Sequence, residues 1–372
     1  MTRSSSGLTV LLPNYNDAEY LAEALESVVG QDLPADEILV VDDGSTDGSR
    51  PIIERYAARY PNVRPTYFET NRGANAAVDH LMSRATGEFL FPIGADDRAL
   101  PGFFRKAVGL LRRWPEAALA TGLCRTIGED GRPIPTKVRG VIRSEAGFVT
   151  PAEAKRRMVW HGPWISGNAV VYRRDMLEAA GGFRRELGPY CDGFIQEVLT
   201  MRRGSCFIPE YLTCWRWAPR NYSTRYGQLP ENQRHMRDVA LALMQSDYAD
   251  VFDATLRSIF RRRMDCQIAI AANDLERESR SGLSRTILSL QNLALAFERK
   301  TAYLAHTPPW EWPQALGYFA RSQWVARIAR KQAERSTGNG TREGLPPGGG
   351  RDLPEPGAGE GGAVGPATGG AP

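Results

Sequence analysis

The sequence predicts an α/β fold with a mostly parallel central sheet, followed by a helical C-terminal region and an unstructured tail. Three observations predict this class. Over the first 125 residues, short apolar segments alternate with segments of helical periodicity at spacings that fit βα units. From about residue 230 onwards, apolar residues recur at intervals of three and four, as in amphipathic helices. The last 37 residues contain 13 glycines, 6 prolines and no aromatic side chain, which leaves too little apolar surface for a core. The predicted regions are therefore residues 1–229, 230–335 and 336–372.

Each element of the first half has its own signal in the sequence. Residues 8–12 are apolar apart from Thr9, typical of a strand buried on both faces of a parallel sheet. Asn16 and Glu19 then have the spacing of a capping box, which predicts the start of a helix. Pro101 suits the first turn of a later helix because its φ angle is fixed. The other strands of this half are predicted at residues 37–41, 63–68 and 88–93, and the other helices at residues 52–60 and 71–84.

Beyond residue 125 the signals are weaker. Residues 126–165 are interrupted by Gly and Pro and give no clear assignment. A helix is predicted from Asp192 to Met201, with Gly204 available to end it. Short strands are predicted at residues 166–172, 206–208 and 212–217.

Composition excludes several classes of protein. No run of about 18 apolar residues occurs, so no membrane-spanning helix is expected, and residues 1–7 lead into the first strand without a signal peptide's apolar region. The five cysteines have neither disulfide nor metal-ligand spacing, which predicts reduced thiols in the cytoplasm. The net charge of +4 is too small to indicate a nucleic-acid partner. Nothing in the sequence predicts the oligomeric state.

Polar clusters follow the predicted strands at the ends where ligands bind in open α/β sheets. They predict a polar, anionic ligand. Asp96 and Asp97 are candidate ligands for Mg²⁺ or Mn²⁺, because hard oxygen ligands suit these ions. The acidic pairs also have a simpler interpretation as helix caps and turn residues. The clusters lie at residues 14–16, 42–43, 71–73 and 96–97.

Taken in order, these motifs resemble the family-2 glycosyltransferases, which have the GT-A fold. Residues 8–16 (LTVLLPNYN) and 40–47 (VVDDGSTD) carry the resemblance at the start, and Asn71-Arg72-Gly73 matches the loop after the third strand. Gly94-Ala95-Asp96-Asp97 lies where the family has its Asp-X-Asp metal motif, and Gly181-Gly182-Phe183 followed by Asp192 is similar to the acceptor-side segment. The resemblance covers about residues 7–225.

The resemblance implies an inverting, metal-dependent transfer of a sugar from a nucleotide-diphospho-sugar donor to an acceptor hydroxyl, on a surface glycan or its lipid-linked precursor. Asp192 would be the general base that takes the acceptor's proton. Asp96 would bind a divalent ion, Mn²⁺ or Mg²⁺, that neutralises the leaving diphosphate. The residues implied to hold the nucleotide-sugar are Pro13, Tyr15, Asp42, Asp43, Asn71, Gly73 and Asp96.

Some positions leave alternatives open. Gly94 stands where the family has its first Asp, so the ion would be held through one protein carboxylate and the phosphates. Asp192 also has the position of a helix N-cap. Arg216 is a candidate diphosphate contact on a mobile loop, with packing on its neighbouring tryptophans as the alternative. The Gln-X-X-Arg-Trp motif and the membrane helices of processive synthases are missing, which favours non-processive transfer.

The C-terminal helical region carries a local basic excess, with 16 basic and 12 acidic side chains over residues 230–335. Within it, residues 310–335 interleave apolar positions with arginine and lysine. Such a segment can lie on an anionic membrane surface, here the inner face, near lipid-linked acceptors. Packing in a bundle with a solvated basic face is the preferred interpretation.

Other functions predict other motifs. A non-catalytic sugar-nucleotide binder or scaffold with the same fold is the alternative, and Gly94 is the feature that favours it. A nucleotidyltransferase would need a Gly-rich phosphate loop after the first strand, and residues 14–19 contain no glycine. A dehydrogenase is discounted because the same stretch contains no G-x-G-x-x-G motif.

Overall fold

The computed structural model describes residues 7–134, 142–165, 167–218, 221, 226–227, 229–278 and 282–306. The predictions for residues 310–335 and 336–372 lie outside these residues.

The first half of the fold is a parallel sheet in the strand order β3-β2-β1-β4. Alternate residues of β1 pack into two different apolar layers, with Val10 in one layer and Leu11 in the other. Burial on both faces explains why residues 8–12 are apolar apart from Thr9. The elements are β1 (Leu8–Asn14), α1 (Ala18–Val29), β2 (Glu37–Asp42), α2 (Ser49–Arg59), β3 (Val63–Tyr67), α3 (Ala74–Arg84) and β4 (Phe89–Pro92).

The sheet continues through the second half in the order β4-β8-β6-β9-β5, with β7 also paired to β9. Strand β8 is antiparallel to both its neighbours, whereas β6 and β9 form a long parallel ladder. The parallel ladders are the longer ones, so the sheet is mostly parallel, as predicted. The elements are β5 (Arg98–Ala99), α4 (Phe103–Arg113), β6 (Leu119–Ile127), β7 (Gly147–Val149), α5 (Pro151–His161), β8 (Val170–Arg173), α6 (Arg174–Ala179), a 3-10 segment (Arg185–Tyr190), α7 (Cys191–Arg203) and β9 (Ser205–Arg216).

The helices predicted beyond residue 230 are present and pack on the second half of the sheet domain. Tyr248 and Phe252 contact the ring of Phe194 in α7, with ring centroids 5.2 and 5.8 Å apart. Arg263 donates hydrogen bonds to the carbonyls of Met158 and Val159 at the C-terminal end of α5, at 2.6 and 2.7 Å. The division of the chain into domains stays a prediction. The elements are α8 (Pro230–Gln245), α9 (Ala254–Glu278), α10 (Gly282–Thr301) and a 3-10 turn (Ala302–His306).

The outer face of α10 is apolar. Leu290, Leu293 and Phe297 are 61%, 68% and 69% exposed. The three- and four-residue spacing thus predicted a helix correctly, although this apolar face lies outward. None of the helices in the described part of the chain is long and apolar enough to cross a membrane.

Two helix starts differ from the predictions. Helix α1 begins at Ala18, and Asn16 has a left-handed φ of 55° because its side chain bonds to the next loop instead of capping the helix. Helix α4 begins at Phe103, after a left-handed Gly102 with a φ of 79°, so Pro101 lies in the preceding turn. The unassigned stretch after residue 125 contains β7 and α5, and the partner strand of β7 is remote in sequence.

Candidate functional site

The carboxyl ends of β1 and β2 are joined by buried polar contacts. Asn14 Nδ2 donates to Asp42 Oδ1 at 2.8 Å, and both side chains are buried. Asn16 Oδ1 accepts from the backbone N–H of Thr46 at 2.8 Å, and the Asn16 N–H donates to Ser45 Oγ at 2.9 Å. These contacts hold residues 14–16 against residues 45–46. The buried Asp42 carboxylate orders the same edge of the sheet through its hydrogen bond from Asn14.

Asp43 organises the loop before α3. Its two carboxylate oxygens accept from the backbone N–H groups of Arg72 and Gly73 at 2.7 and 2.8 Å. Asn71 Oδ1 also accepts from the Gly73 N–H, at 2.9 Å, and Gly73 has a left-handed φ of 89° that favours glycine. The structure therefore brings Asp43, Asn71 and Gly73 together in a loop that Asp43 anchors, and their role in binding a nucleotide stays a prediction.

Tyr15 is exposed to solvent at this edge of the sheet. Its side chain is 45% exposed, whereas Asp42 and Asp43 are both buried. A flat ring at the rim is suited to contact a nucleotide base. The buried carboxylates shape the loops on which such a ligand would rest.

Asp96 and Asp97 have different environments. Asp97 is buried and accepts from Asn168 Nδ2 at 2.8 Å and from the Arg216 N–H at 2.9 Å. Burial, followed by the nearby charge of Asp96, raises the pKa of Asp97 well above its usual value. Asp97 as a metal ligand therefore stays a prediction: its carboxyl group already accepts two hydrogen bonds, and its Oδ2 also approaches the space beside Gly94.

The carboxylates of Asp96 and Asp97 both approach the space beside Gly94. A Cβ atom at residue 94 would lie 2.7 Å from Asp96 Oδ1 and 3.4 Å from Asp97 Oδ2. The missing side chain therefore leaves the room into which the half-buried Asp96 carboxylate folds. The Asp96 carboxylate, with Asp97 Oδ2 beside it, fits a divalent ion that takes its other oxygen ligands from a diphosphate. Within the described ranges, no three His, Cys, Asp or Glu side chains are grouped as a metal site.

Arg216 is not at a ligand surface, and the prediction of a diphosphate contact on a mobile loop is wrong. It is the last residue of β9, and its side chain is 1% exposed. The guanidinium donates to the carbonyls of Asp96, Gly128 and Glu129 at 2.9–3.0 Å and pairs with the Glu23 carboxylate at 2.5 Å. It therefore fastens the backbone that carries Asp96.

Asp192 lies in the first turn of α7, two residues after the N-cap residue Tyr190. Its Oδ1 accepts from the adjacent Gly193 N–H at 2.6 Å. Its Oδ2 approaches residue 167 so closely that a Cβ there would be 2.5 Å away, so any side chain at that position would displace the carboxylate. Burial raises the pKa of Asp192 above its usual value. A carboxylate with a raised pKa is a stronger proton acceptor, as a general base requires.

A cavity of about 210 Å³ connects the strand ends with α7. Two of the predicted site residues, Pro13 and Asp192, line this cavity. Gly94 also lines it. The other predicted site residues do not line the cavity. Those that lie in the loops after β1, β2 and β3 form the edge of the sheet described above. The wall also contains Asp79, Gly167, Asn168 and Arg185, which the sequence analysis missed. The Gly-Asn pair before the apolar run at residues 169–172 was a signal for Gly167 and Asn168, and no local signal marks Asp79 or Arg185.

Comparisons with known proteins agree with this fold. The profile of the glycosyl transferase family 2 matches residues 9–181. The uncharacterized glycosyltransferase YibD of Escherichia coli (strain K12) is 31% identical over 188 residues, which are 48% of this chain and 51% of YibD. The uncharacterized glycosyltransferase alr2836 of Nostoc sp. is 31% identical over 171 residues, 46% of this chain and 52% of that protein. The chain thus spans about half the length of the curated relatives it matches.

Among solved structures, S. aureus TarS 1–349 in complex with UDP-GlcNAc superposes with a TM-score of 0.55 at 18% identity, covering 90% of this chain and 92% of that one. The same protein without that ligand gives a TM-score of 0.53. At this identity the likeness concerns the fold. Together with the family match, it shows that residues 9–181 form a domain that matches the glycosyl transferase family 2 and has the GT-A fold.

Proposed function

We propose that the protein is an inverting glycosyltransferase that moves a single sugar from a nucleotide-diphospho-sugar to an acceptor hydroxyl. One observation carries the proposal. Asp192, a carboxylate whose pKa is raised by burial, lines the same cavity as Pro13 and Gly94 at the ends of the first-half strands. In inversion, the base and the leaving group lie on opposite sides of the anomeric carbon, which requires such a space between them.

In the proposed mechanism, the loops at the edge of the sheet bind the nucleotide. Tyr15 contacts the base, and the loop anchored by Asp43 lies beside the ribose and phosphates. Asp192 accepts the proton of the acceptor hydroxyl while that oxygen bonds to the anomeric carbon and the bond to the diphosphate breaks. The acceptor class, a surface glycan or a lipid-linked precursor, follows from family analogy.

Asp96 is the residue that would hold a divalent ion, Mn²⁺ or Mg²⁺. The support is the space beside Gly94, into which its carboxylate folds. When bound, the ion neutralises charge on the leaving diphosphate. Arg216 keeps the Asp96 backbone in position through its hydrogen bond to the Asp96 carbonyl.

We further propose a cytoplasmic location. The basic amphipathic pattern of residues 310–335 makes them the segment that would contact the inner membrane face if the protein binds there, whereas packing in a bundle remains the preferred interpretation of that pattern.

The test is transfer or donor hydrolysis with Asp192→Asn, across a panel of nucleotide-sugars with Mn²⁺. The expected loss in kcat is about 10²–10⁴-fold with nucleotide affinity retained. Asp175→Asn is the matched control, because Asp175 also lies in the first turn of a helix and accepts from the next N–H, but is exposed. Equal turnover of the Asp192 variant and wild type would exclude Asp192 as the base.

A non-catalytic sugar-nucleotide binder is the second candidate, favoured by the glycine at residue 94. Calorimetric titration of UDP-GlcNAc or GDP-mannose with and without Mn²⁺, beside an activity screen, separates the two. Tight binding without turnover on any acceptor would support the binder. Asp96→Ala should remove the effect of Mn²⁺ on binding in either case.

A further inference from the structure

A charged pair faces the cavity from the side opposite the sheet. Asp79 of α3 forms an ion pair with Arg185 of the 3-10 segment, and both line the cavity. One turn earlier in α3, Asn75 Nδ2 donates to the Arg185 carbonyl at 3.4 Å. The pair therefore joins the nucleotide side of the fold to the segment that leads into Asp192.

The rest of the cavity wall offers little that could hold a polar ligand. Its charged residues are Asp79, Arg185 and Asp192. The amide of Asn168 is already bonded to Asp97 and to Thr213 Oγ. Most of the remaining surface is apolar, contributed by Pro13, Val78, Pro92, Ile93 and Phe183. In such sites a few placed polar groups fix the orientation of the ligand.

We propose that Asp79 and Arg185 bind hydroxyl groups of the donor's sugar ring and thereby select the sugar. This inference rests on the proposed function. If the diphosphate lies over Gly94 and the base is Asp192, the transferred ring must occupy the space between them, which is this cavity. Asp79 and Arg185 are the charged groups that border that space without taking part in proton transfer.

The hydrogen-bonding groups of the pair favour a role in sugar binding over a purely structural role. A carboxylate accepts hydrogen bonds at two oxygens, and a guanidinium has five N–H donors in a planar fork. Adjacent ring hydroxyls both donate and accept, so one pair can bind two of them. The side chains of Asp79 and Arg185 are 34% and 56% exposed, so they are reachable from the cavity. An ion pair this exposed contributes little to folding.

The pair predicts the class of donor. A site that hydrogen-bonds a substrate hydroxyl rejects the analogue that lacks it, because its polar groups are then left unpaired. We therefore expect a donor with free neighbouring ring hydroxyls, and discrimination against the corresponding deoxy-sugar. The apolar wall formed by Val78, Ile93 and Phe183 would contact the C–H groups of the ring.

The experiment compares binding and transfer for wild type, Asp79→Ala and Arg185→Ala. The ligands are UDP and GDP, then UDP-GlcNAc, UDP-glucose and GDP-mannose, titrated with Mn²⁺. We expect the Kd for the nucleoside diphosphates to stay within about twofold, and kcat/KM for the preferred donor to fall by about tenfold or more in each variant. Arg105→Ala is the matched control, because it breaks an exposed ion pair with Asp32 away from the cavity.

A charge-swapped double variant, Asp79→Arg with Arg185→Asp, separates recognition from structure. It restores the ion pair but exchanges donor and acceptor positions, so a structural role predicts rescue and a recognition role predicts none. Rescue, or variants that match Arg105→Ala while wild type is active, would overturn this inference alone. Wild type that binds none of the nucleotide-sugars would overturn the proposed function itself.

Discussion

Replacing Gly167 with alanine tests the role of Asp192 by moving its carboxylate without removing it. The new Cβ would lie 2.5 Å from Asp192 Oδ2 and 3.7 Å from its Cγ. Non-bonded heavy atoms prefer separations of about 3.5 Å. The carboxylate must therefore retreat by about 1 Å.

A shift of about 1 Å in a catalytic group can cost about 10²-fold in rate. We therefore expect kcat for transfer to fall about 100-fold, with the Kd for nucleoside diphosphate unchanged, because Asp192 is the side chain that the new Cβ meets within 4 Å, and it is not one of the proposed nucleotide contacts. The backbone of Gly167 does not have a positive φ, so alanine is compatible with it. The free energy of unfolding should drop by at most about 1–3 kcal/mol, the usual cost of added volume in a packed site.

The assay is single-turnover transfer as a function of pH. Burial raises the pKa of Asp192, and a carboxylate pushed away from residue 167 towards the cavity is less desolvated, so its pKa should fall. The acid limb of the rate profile should then move to lower pH. Gly109→Ala is the control, because a Cβ there meets nothing within 4 Å on the exposed face of α4. A Gly167→Ala enzyme with wild-type kcat and an unmoved acid limb would refute the reasoning.

Three further predictions concern stability and the tail. Burial raises the pKa of Glu197 from 4.5 to about 8, so its proton is held in the folded state and released in the unfolded state between these pH values. The folded state therefore loses stability as pH rises through this range. Glu197→Gln should raise Tm more at pH 9 than at pH 6, and an equal rise in Tm at the two pH values would contradict this. Arg216→Ala should lower the free energy of unfolding by about 3 kcal/mol or more in urea denaturation, because the carbonyls that accept from its guanidinium lose their donor. A loss below about 1 kcal/mol would count against this role of Arg216. Deleting residues 336–372 should change neither kcat nor Tm, and a loss of either would refute the compositional prediction.

The strands and their polar ends could be predicted because their signals are local. A strand buried on both faces is apolar at nearly every position, as β1 and β2 are, and the polar residues that follow it mark the edge of the sheet. The loop from Asn71 to Gly73 was found for the same reason. These features need no knowledge of what lies across the fold.

The errors arose where the partner is remote in sequence. Asn16 bonds to Thr46, 30 residues away, and therefore does not cap α1. Arg216 is buried because carbonyls from residues 96, 128 and 129 converge on it. Asp79 and Arg185 meet across 106 residues, and no periodicity in either segment records that contact. Local patterns cannot reveal such pairs, since long-range packing decides them.

The C-terminal helices limit how this protein can be recombined with its relatives. Tyr248 and Phe252 cover Phe194 in α7, and Arg263 closes the C-terminal end of α5. A chimera that took its C-terminal helices from another protein would have to reproduce these aromatic contacts and that guanidinium. Without them, the apolar back of the helix that carries Asp192 would meet water. Exchanging residues around the cavity is therefore a safer route to a new sugar specificity than exchanging C-terminal regions.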